Sequence, residues 1–323
     1  MKQIRQITEK NIWDELILTK KAPFVQSWDW GEILNFEGKK VQRLLVEENG
    51  QKLLFIQVVL NNLPFGWKYA FAPKGPAGEN ISDEALLILK DYLKKQGVIF
   101  LRLEPNDKNL NGLIKTKEVN PRATLILNLQ KNEDELLSAM HAKTRYNIRL
   151  AQKKNLEIKN EKNLKIFLEL MEKTGSRDNF RLHETKHYEA ILNSDFTKQL
   201  TIYSDQKPVV TAVFIGFGDT FTYLFGASDH EYRQLMAPYL LQWEGIKIGQ
   251  NCGYKFYDFF GVAPKINKES DYEFDEKHQY AGVSRFKHGF GGKYFEVPGT
   301  FDMIIDKTKY NIYFLLRKLR GII

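Results

Sequence analysis

One succession of hydrophobic patterns occurs twice along this chain, and it constrains the fold more than any single motif does. In the first pass, residues 26–36 form an aromatic-rich helix candidate with Ser27 as a cap before Trp28 and Trp30. Residues 41–47 and 52–60 alternate apolar and polar side chains around Glu48-Asn49-Gly50-Gln51, which reads as a hairpin with Asn-Gly at its tip. A third strand at 67–72 runs into Pro73-Lys74-Gly75-Pro76. Ser82 then opens a helix carrying Leu86, Leu89 and Leu93 on one face and Lys90, Lys94 and Lys95 on the other, and a buried strand follows at 98–103. In the second pass, helices at 164–171 and 184–192 precede strands at 200–203 and 209–215, joined by the turn Ser204-Asp205-Gln206-Lys207. A strand at 220–225, a long helix at 236–250 and a strand at 255–260 complete the set. Two runs of one order predict two copies of an α/β module, with mixed, mostly antiparallel sheets flanked by helices. The halves share pattern, not visible sequence.

A length of 323 residues with 43% apolar side chains suits two domains. The polar segment 107–122 reads as the crossover between them, and 264–278 as a charged surface loop. The net charge of +8 favours a polyanionic partner: RNA, a nucleotide-linked substrate or an anionic membrane surface. Residues 1–21 alternate charge with isolated hydrophobes and do not resemble a signal peptide, and no apolar run reaches the roughly 18 residues of a bilayer span. Cys252 is the sole cysteine, which excludes an intrachain disulfide and a Cys-based zinc cage. A cytoplasmic location is the expectation.

Two familiar chemistries have no motif here: there is no phosphate-binding glycine loop and no Gly-x-Ser-x-Gly. His183-Glu184-Thr185-Lys186-His187 has the letters of a zincin motif, but the string stands alone, and the favoured reading is two exposed helix histidines rather than a metal site. The repeated module suits N-acetyltransferases that use acetyl-CoA. The equivalent cofactor loop, Tyr232 to Pro238, has no glycine, which disfavours a pyrophosphate cradle. Arg145, Arg149 and Lys153 recur every four residues on a helix candidate at 143–154, forming either a phosphate-binding stripe with Tyr146 available for stacking or a solvated face. Phe286-Lys287-His288-Gly289-Phe290-Gly291-Gly292 sets a lysine among aromatics at a flexible turn, where a cation stabilises a phosphate or an oxyanion or simply faces solvent. Asp258, in Tyr257-Asp258-Phe259-Phe260-Gly261, is an acid in a buried strand and needs partners; a structural acceptor is the favoured reading.

Taken in order, these words resemble the FemABX family of peptidoglycan interpeptide-bridge aminoacyltransferases. The resemblance is carried by Phe24 to Trp28, Tyr69 to Pro76, Thr144 to Arg149 with Ala151, Thr174 to Phe180, Ala237 to Trp243, Tyr257 to Gly261, and Phe286-Lys287. It covers nearly the whole chain. With no room for a helical arm between Lys154 and Leu164, the chain looks like the compact, FemX-like type.

The resemblance implies two tandem N-acetyltransferase-like (GNAT) domains, 1–120 plus 298–323 on the acceptor side and 121–297 on the aminoacyl-tRNA side. The C-terminal helix at 307–320 would pack back on the first domain with Phe314, Leu315 and Leu319 as core; otherwise its basic residues Lys307, Lys309, Arg317, Lys318 and Arg320 would serve a membrane contact. It further implies an aminoacyl-tRNA donor, a UDP-linked or lipid-linked muropeptide acceptor, and neither metal nor cofactor. A monomer is expected. Lys287 falls on the family's lysine at the tRNA end and transition state, Glu104 on the acid closing the first domain's last strand, and Arg181 on the acceptor-phosphate arginine. Tyr188, Phe286 and Tyr223 fall on substrate-binding positions, and Arg145, Arg149 and Lys153 on the tRNA side. One departure stands out: where compact members carry an acceptor-binding lysine, this chain reads Trp30-Gly31-Glu32, with only Lys39 and Lys40 nearby. Two rival activities remain, an acyl transfer from a thioester donor and a noncatalytic RNA- or membrane-binding role.

Overall fold

A computed structural model describes residues 2–77, 81–106, 111–178, 180–267, 269 and 272–319. Arg320, counted above in the basic helix, lies outside the described residues. The chain begins β1 (Lys2–Gln6), α1 (Lys10–Leu18), α2 (Trp28–Phe36), β2 (Lys40–Glu48), β3 (Gln51–Asn62), β4 (Lys68–Ala72), α3 (Asp83–Lys95), β5 (Val98–Leu103) and β6 (Ile114–Lys115). It continues with β7 (Ala123–Asn128), α4 (Glu133–Ala139), α5 (Ala142–Gln152), β8 (Leu156–Asn160), α6 (Leu164–Asp178), α7 (Thr185–Asn193), β9 (Thr197–Ser204) and β10 (Lys207–Phe217). Then come β11 (Thr220–Ser228), α8 (Ala237–Asn251), β12 (Phe256–Asp258), α9 (Ala281–His288), β13 (Lys293–Glu296), β14 (Phe301–Ile304) and α10 (Lys307–Leu319).

Local chemistry sets many of these boundaries. Ser27 caps α2 by accepting from the Trp30 amide, and Ser82 caps α3 from Ala85. The β2–β3 hairpin turns on Asn49 (φ 50) and Gly50 (φ 81), the left-handed pair a two-residue turn requires. The β9–β10 hairpin does the same with Asp205 (φ 47) and Gln206 (φ 62), without a glycine.

The residues divide into two compact units, Met1–Asn120 with Val297–Ile323, and Pro121–Glu296. Each is built on a seven-stranded sheet, in the order β1-β2-β3-β4-β5-β14-β6 in the first and β8-β9-β10-β11-β12-β7-β13 in the second. All neighbours are antiparallel except β4–β5 and β11–β12, the pairs bridged by helices α3 and α8. The two sheets therefore match position by position. One difference is the source of the sixth strand: β7 precedes its sheet in the chain, whereas β14 returns from the C-terminal part to complete the first.

The first core packs Leu86, Leu89 and Leu93 of α3 against Leu44, Ile56, Val58 and Leu101 of the sheet. The second packs Leu240, Trp243 and Ile246 of α8 against Phe214, Phe221 and Tyr257. A further cluster joins Phe100 of β5 to Tyr310, Tyr313 and Phe314 of α10. Arg102 holds Asp302 of β14 through two 2.8 Å hydrogen bonds, and Tyr310 donates to the same carboxylate at 3.0 Å. The C-terminal helix thus returns to the first unit, but only part of the expected core is there. Phe314 packs, whereas Leu315 is 59% and Leu319 75% exposed, because Tyr310, Tyr313 and Phe314 occupy one side of the helix and Leu315 and Leu319 fall on the other.

Candidate active site

In the second unit β11 and β12 run parallel for three residue pairs, ending at Thr222 and Asp258, after which β12 stops and β11 continues to Ser228. Their counterparts in the first unit stay paired through Ala72 and Leu103. Two local features produce the parting. Immediately after β12, Phe260 (φ 52) and Gly261 (φ 27) are left-handed; for Phe260 this costs on the order of 1–2 kcal/mol. Opposite, a bulge between Val213 and Phe214 of β10 leaves Leu224 of β11 without a partner in the register, and bulges re-aim neighbouring side chains.

Lys287 of α9 fills this parting. Its Nζ donates to the carbonyls of Phe260 and, at 2.8 Å, Gly261, and it lies 5.5 Å from the centre of the Tyr223 ring. The side chain is only 6% exposed. Burial pushes its ammonium down to about 7, with the charge of Asp258 acting in the opposite direction. Two of the three N–H bonds are spent on the carbonyls and the third remains for a ligand atom. The helix is fixed in turn: Ser284 accepts from the Ala263 amide at 2.8 Å, and Gly289 approaches Thr144 so closely that a Cβ there would stand 2.4 Å from its hydroxyl.

Tyr223 folds over Gly226, where an added Cβ would come within 1.7 Å of the phenol oxygen. Desolvation pushes that phenol up to about 12, so it stays a neutral donor. Phe286 points to a pocket of about 530 Å³ with Tyr232, Tyr239, Arg233 and His230 among its lining residues. Phe286 meets Tyr239 and Phe290 edge-on at 5.2 Å. The pocket is bounded by the start of α8, where Met236 is left-handed (φ 52) and Pro238 contributes no N–H.

Of the residues marked in the sequence, the structure brings together Lys287, Phe286 and Tyr223. Lys287 proves to be a buried helical residue and not part of a turn; the glycine turn begins after it. Asp258 is the structural acceptor expected, bound by Thr124 and the Phe260 amide. Tyr188 is 2% exposed inside an aromatic cluster with Phe167 and Phe225, and its hydroxyl accepts from the His183 amide. Arg181 is exposed between α6 and α7. The histidine pair departs from its reading: His183 precedes α7, and His187 is buried in it, the rings 4.3 Å apart. In the proposed RNA stripe, Arg149 and Lys153 are exposed, but Arg145 is half-buried and donates to the carbonyls of Met140 and Ser138.

Glu104, in the first unit, has no free acceptor site. It takes hydrogen bonds from the Lys74 amide (3.0 Å), the Asn120 amide (2.9 Å) and side chain (2.7 Å), and Thr300 (3.1 Å). A carboxylate so occupied is a clamp rather than a proton acceptor. Glu32 receives a 2.8 Å bond from Arg43, a buried guanidinium lying 3.6 Å over the Trp28 ring. Sequence reading missed Arg43, since an arginine inside an alternating strand looks solvent-facing. It also missed the Phe260 and Gly261 carbonyls, whose only signal is the glycine.

The FemAB family model matches residues 17–116, 110–203 and 194–318. The chain belongs to the FemAB family, as the resemblance in its sequence implied. Among curated relatives, the lipid II:glycine glycyltransferases of Staphylococcus epidermidis and Staphylococcus aureus are 22% and 21% identical over 88% and 89% of both chains. The first of these alignments spans 374 positions, more than the 323 residues here, so that relative carries insertions this chain lacks. A crystal structure of FemX superposes with a TM-score of 0.79 at 20% identity, covering 96% of this chain and 99% of that one. A tandem GNAT protein from the clavulanic acid biosynthesis pathway gives 0.56 at 9% identity, covering 94% and 99%. The fold is thus two tandem GNAT-like modules.

Proposed function

We propose that this protein is an aminoacyltransferase that moves an amino acid from aminoacyl-tRNA to the stem-peptide amine of a peptidoglycan precursor. The observation that carries the reading is the buried Lys287 ammonium, held by the carbonyls of Phe260 and Gly261 with one N–H uncommitted, while its neighbour Phe286 lines an aromatic pocket. The glycyltransferase relatives support the reaction class. The tandem-GNAT relationship leaves an acyl thioester as the rival donor. Against it stands the start of α8, where a left-handed methionine and a proline replace the run of backbone N–H groups that a pyrophosphate needs.

In the reaction the acceptor amine, neutral when it attacks, adds to the ester carbonyl carbon. The C–N bond forms, the ester C–O bond breaks, and the amine proton passes to the departing ribose oxygen. Ester to amide is downhill and needs no ATP. Lys287 donates its third N–H to the oxygen that gains charge in the tetrahedral intermediate, and Tyr223 borders the same point. Such a preset donor in a dry site lowers the barrier by about 3–4 kcal/mol. The terminal adenosine of the tRNA fits the pocket, stacking on Tyr232, Tyr239 or Phe286, with Arg233 near its phosphate. Arg181 binds the acceptor phosphate, UDP-linked or lipid-linked.

The test is to incubate the purified protein with mixed charged tRNAs and both muropeptide forms, and to read products by mass spectrometry. A muropeptide heavier by one amino-acid residue, lost on RNase treatment and made about 10²–10³-fold more slowly by Lys287→Met, is the expected result. Absence of transfer from any charged tRNA, or an unimpaired Lys287→Met, overturns the reading.

A further inference from the structure

Helix α10 has two apolar faces, and the fold uses one. Tyr310, Tyr313 and Phe314 pack on Phe100. Ile312, Leu315 and Leu319 recur at intervals of three and four on the opposite side, and are 42%, 59% and 75% exposed. Next to them Leu316 lines a groove of about 230 Å³, whose other wall is the loop Leu63, Pro64, Phe65 and Trp67. Phe65, at that loop's tip, is 73% exposed and left-handed (φ 64). Since Leu316 adjoins Ile312 and Leu319 on the helix, the loop tip, groove and helix stripe form one apolar surface. A bulky residue in left-handed backbone is uncommon, and here that backbone presents a phenyl ring to solvent.

Charge frames this surface with one sign. Helical spacing puts Lys307 and Lys318 along one edge of the stripe and Lys309 along the other, while Arg317 lines the groove. Neither the helix Lys307–Leu319 nor the loop at 61–67 contains an acidic residue; the nearby acid is Asp306, paired with Lys309 at 3.2 Å. Apolar side chains rimmed by lysines match the boundary between acyl chains and anionic headgroups, where lysine stems lie along apolar surface and their ammonium groups reach phosphate. No helix among the described residues is long and apolar enough to cross a membrane, so this would be surface attachment.

We propose that the Phe65 loop and the outer face of α10 form a docking surface for an anionic lipid bilayer. The test is co-sedimentation of the full chain with vesicles of phosphatidylcholine alone and of phosphatidylcholine with 30 mol% phosphatidylglycerol, without substrates. Vesicle binding and amino-acid transfer are then separate results. The expected result is partition to the anionic vesicles only, weakened by salt. Each of Lys307→Gln and Lys318→Gln should lower the partition coefficient about fivefold. The pair Leu315→Gln and Leu319→Gln should lower it at least about tenfold. Because these side chains are exposed, the thermal midpoint should not move. Equal recovery in the supernatant with both vesicle types overturns the proposal. So does a concentration-dependent dimer in analytical ultracentrifugation that the leucine pair abolishes while vesicle binding is unchanged, which would assign the surface to a second copy of the chain.

Discussion

At the scale of single residues, Lys287 has the most consequential chemistry. Its ammonium titrates at about 7 in the folded protein and near 10.4 when unfolded. The unfolded chain therefore holds the extra proton between these values, and the lysine's contribution to stability rises with pH across that window, by up to about 1.4 kcal/mol per unit. Chemical denaturation at pH 7 and pH 9 should show wild type gaining on Lys287→Met as the pH rises. The pH–rate profile separates two roles. If the charged lysine works on a neutral lysine-like acceptor amine, the rate climbs tenfold per unit below about 7 and is level from there to the amine's pKa of about 10.4. If neutral Lys287 acted as the base, the rate would climb a hundredfold per unit below about 7 and tenfold above it. The level profile is expected. Glu104 gives the contrasting case. With four donors on its carboxylate, Glu104→Gln should lose about 1–3 kcal/mol of stability while the rate per folded molecule is retained; a collapse in rate with unchanged stability would restore it as a base.

At the scale of elements, the site exists because two parallel strands part. Gly226→Ala tests this directly. A Cβ within 1.7 Å of the Tyr223 oxygen drives the ring from its place beside Lys287. Since Tyr223 is half-buried, the expected outcome is a loss of at least about tenfold in activity with little change in the far-UV circular dichroism. Much of the architecture around this point was legible in sequence. Asn49-Gly50 announced a hairpin because only left-handed residues close so short a turn, and Ser27 and Ser82 announced helices through capping. The parallel pairing was not legible, since a buried strand's composition does not tell which neighbour it takes. Nor was the four-residue β14, too short for any periodicity. Lys287 was marked as important yet misplaced on a turn, because the glycines that follow it punctuate more strongly than the eight-residue helix that holds it. The left-handed Phe260 arises from tertiary packing, which overrides its own preference.

At the scale of the whole molecule, the excess of +8 charges predicts salt-sensitive RNA binding. Arg149 and Lys153 are exposed on α5, whereas Arg145 is tied to the end of α4. Converting Arg149 and Lys153 to Gln should lower the slope of log affinity for aminoacyl-tRNA against log salt by about 1.5, at 0.7–0.9 per phosphate contact. An unchanged slope in filter binding would make α5 a plain solvated helix. The chain order of the two sheets has a consequence of another kind. Every strand of the second sheet lies between residues 123 and 296, whereas the first sheet waits for Phe301–Ile304 to fill its sixth position. During synthesis on a ribosome, the unit that starts first therefore finishes last: its hairpins emerge early, but β5 keeps one edge bare until residues 301–304 have left the exit tunnel. Premature termination anywhere before residue 301 would strand that edge permanently, so quality control by proteases should discriminate sharply between chains that contain β14 and chains truncated before it.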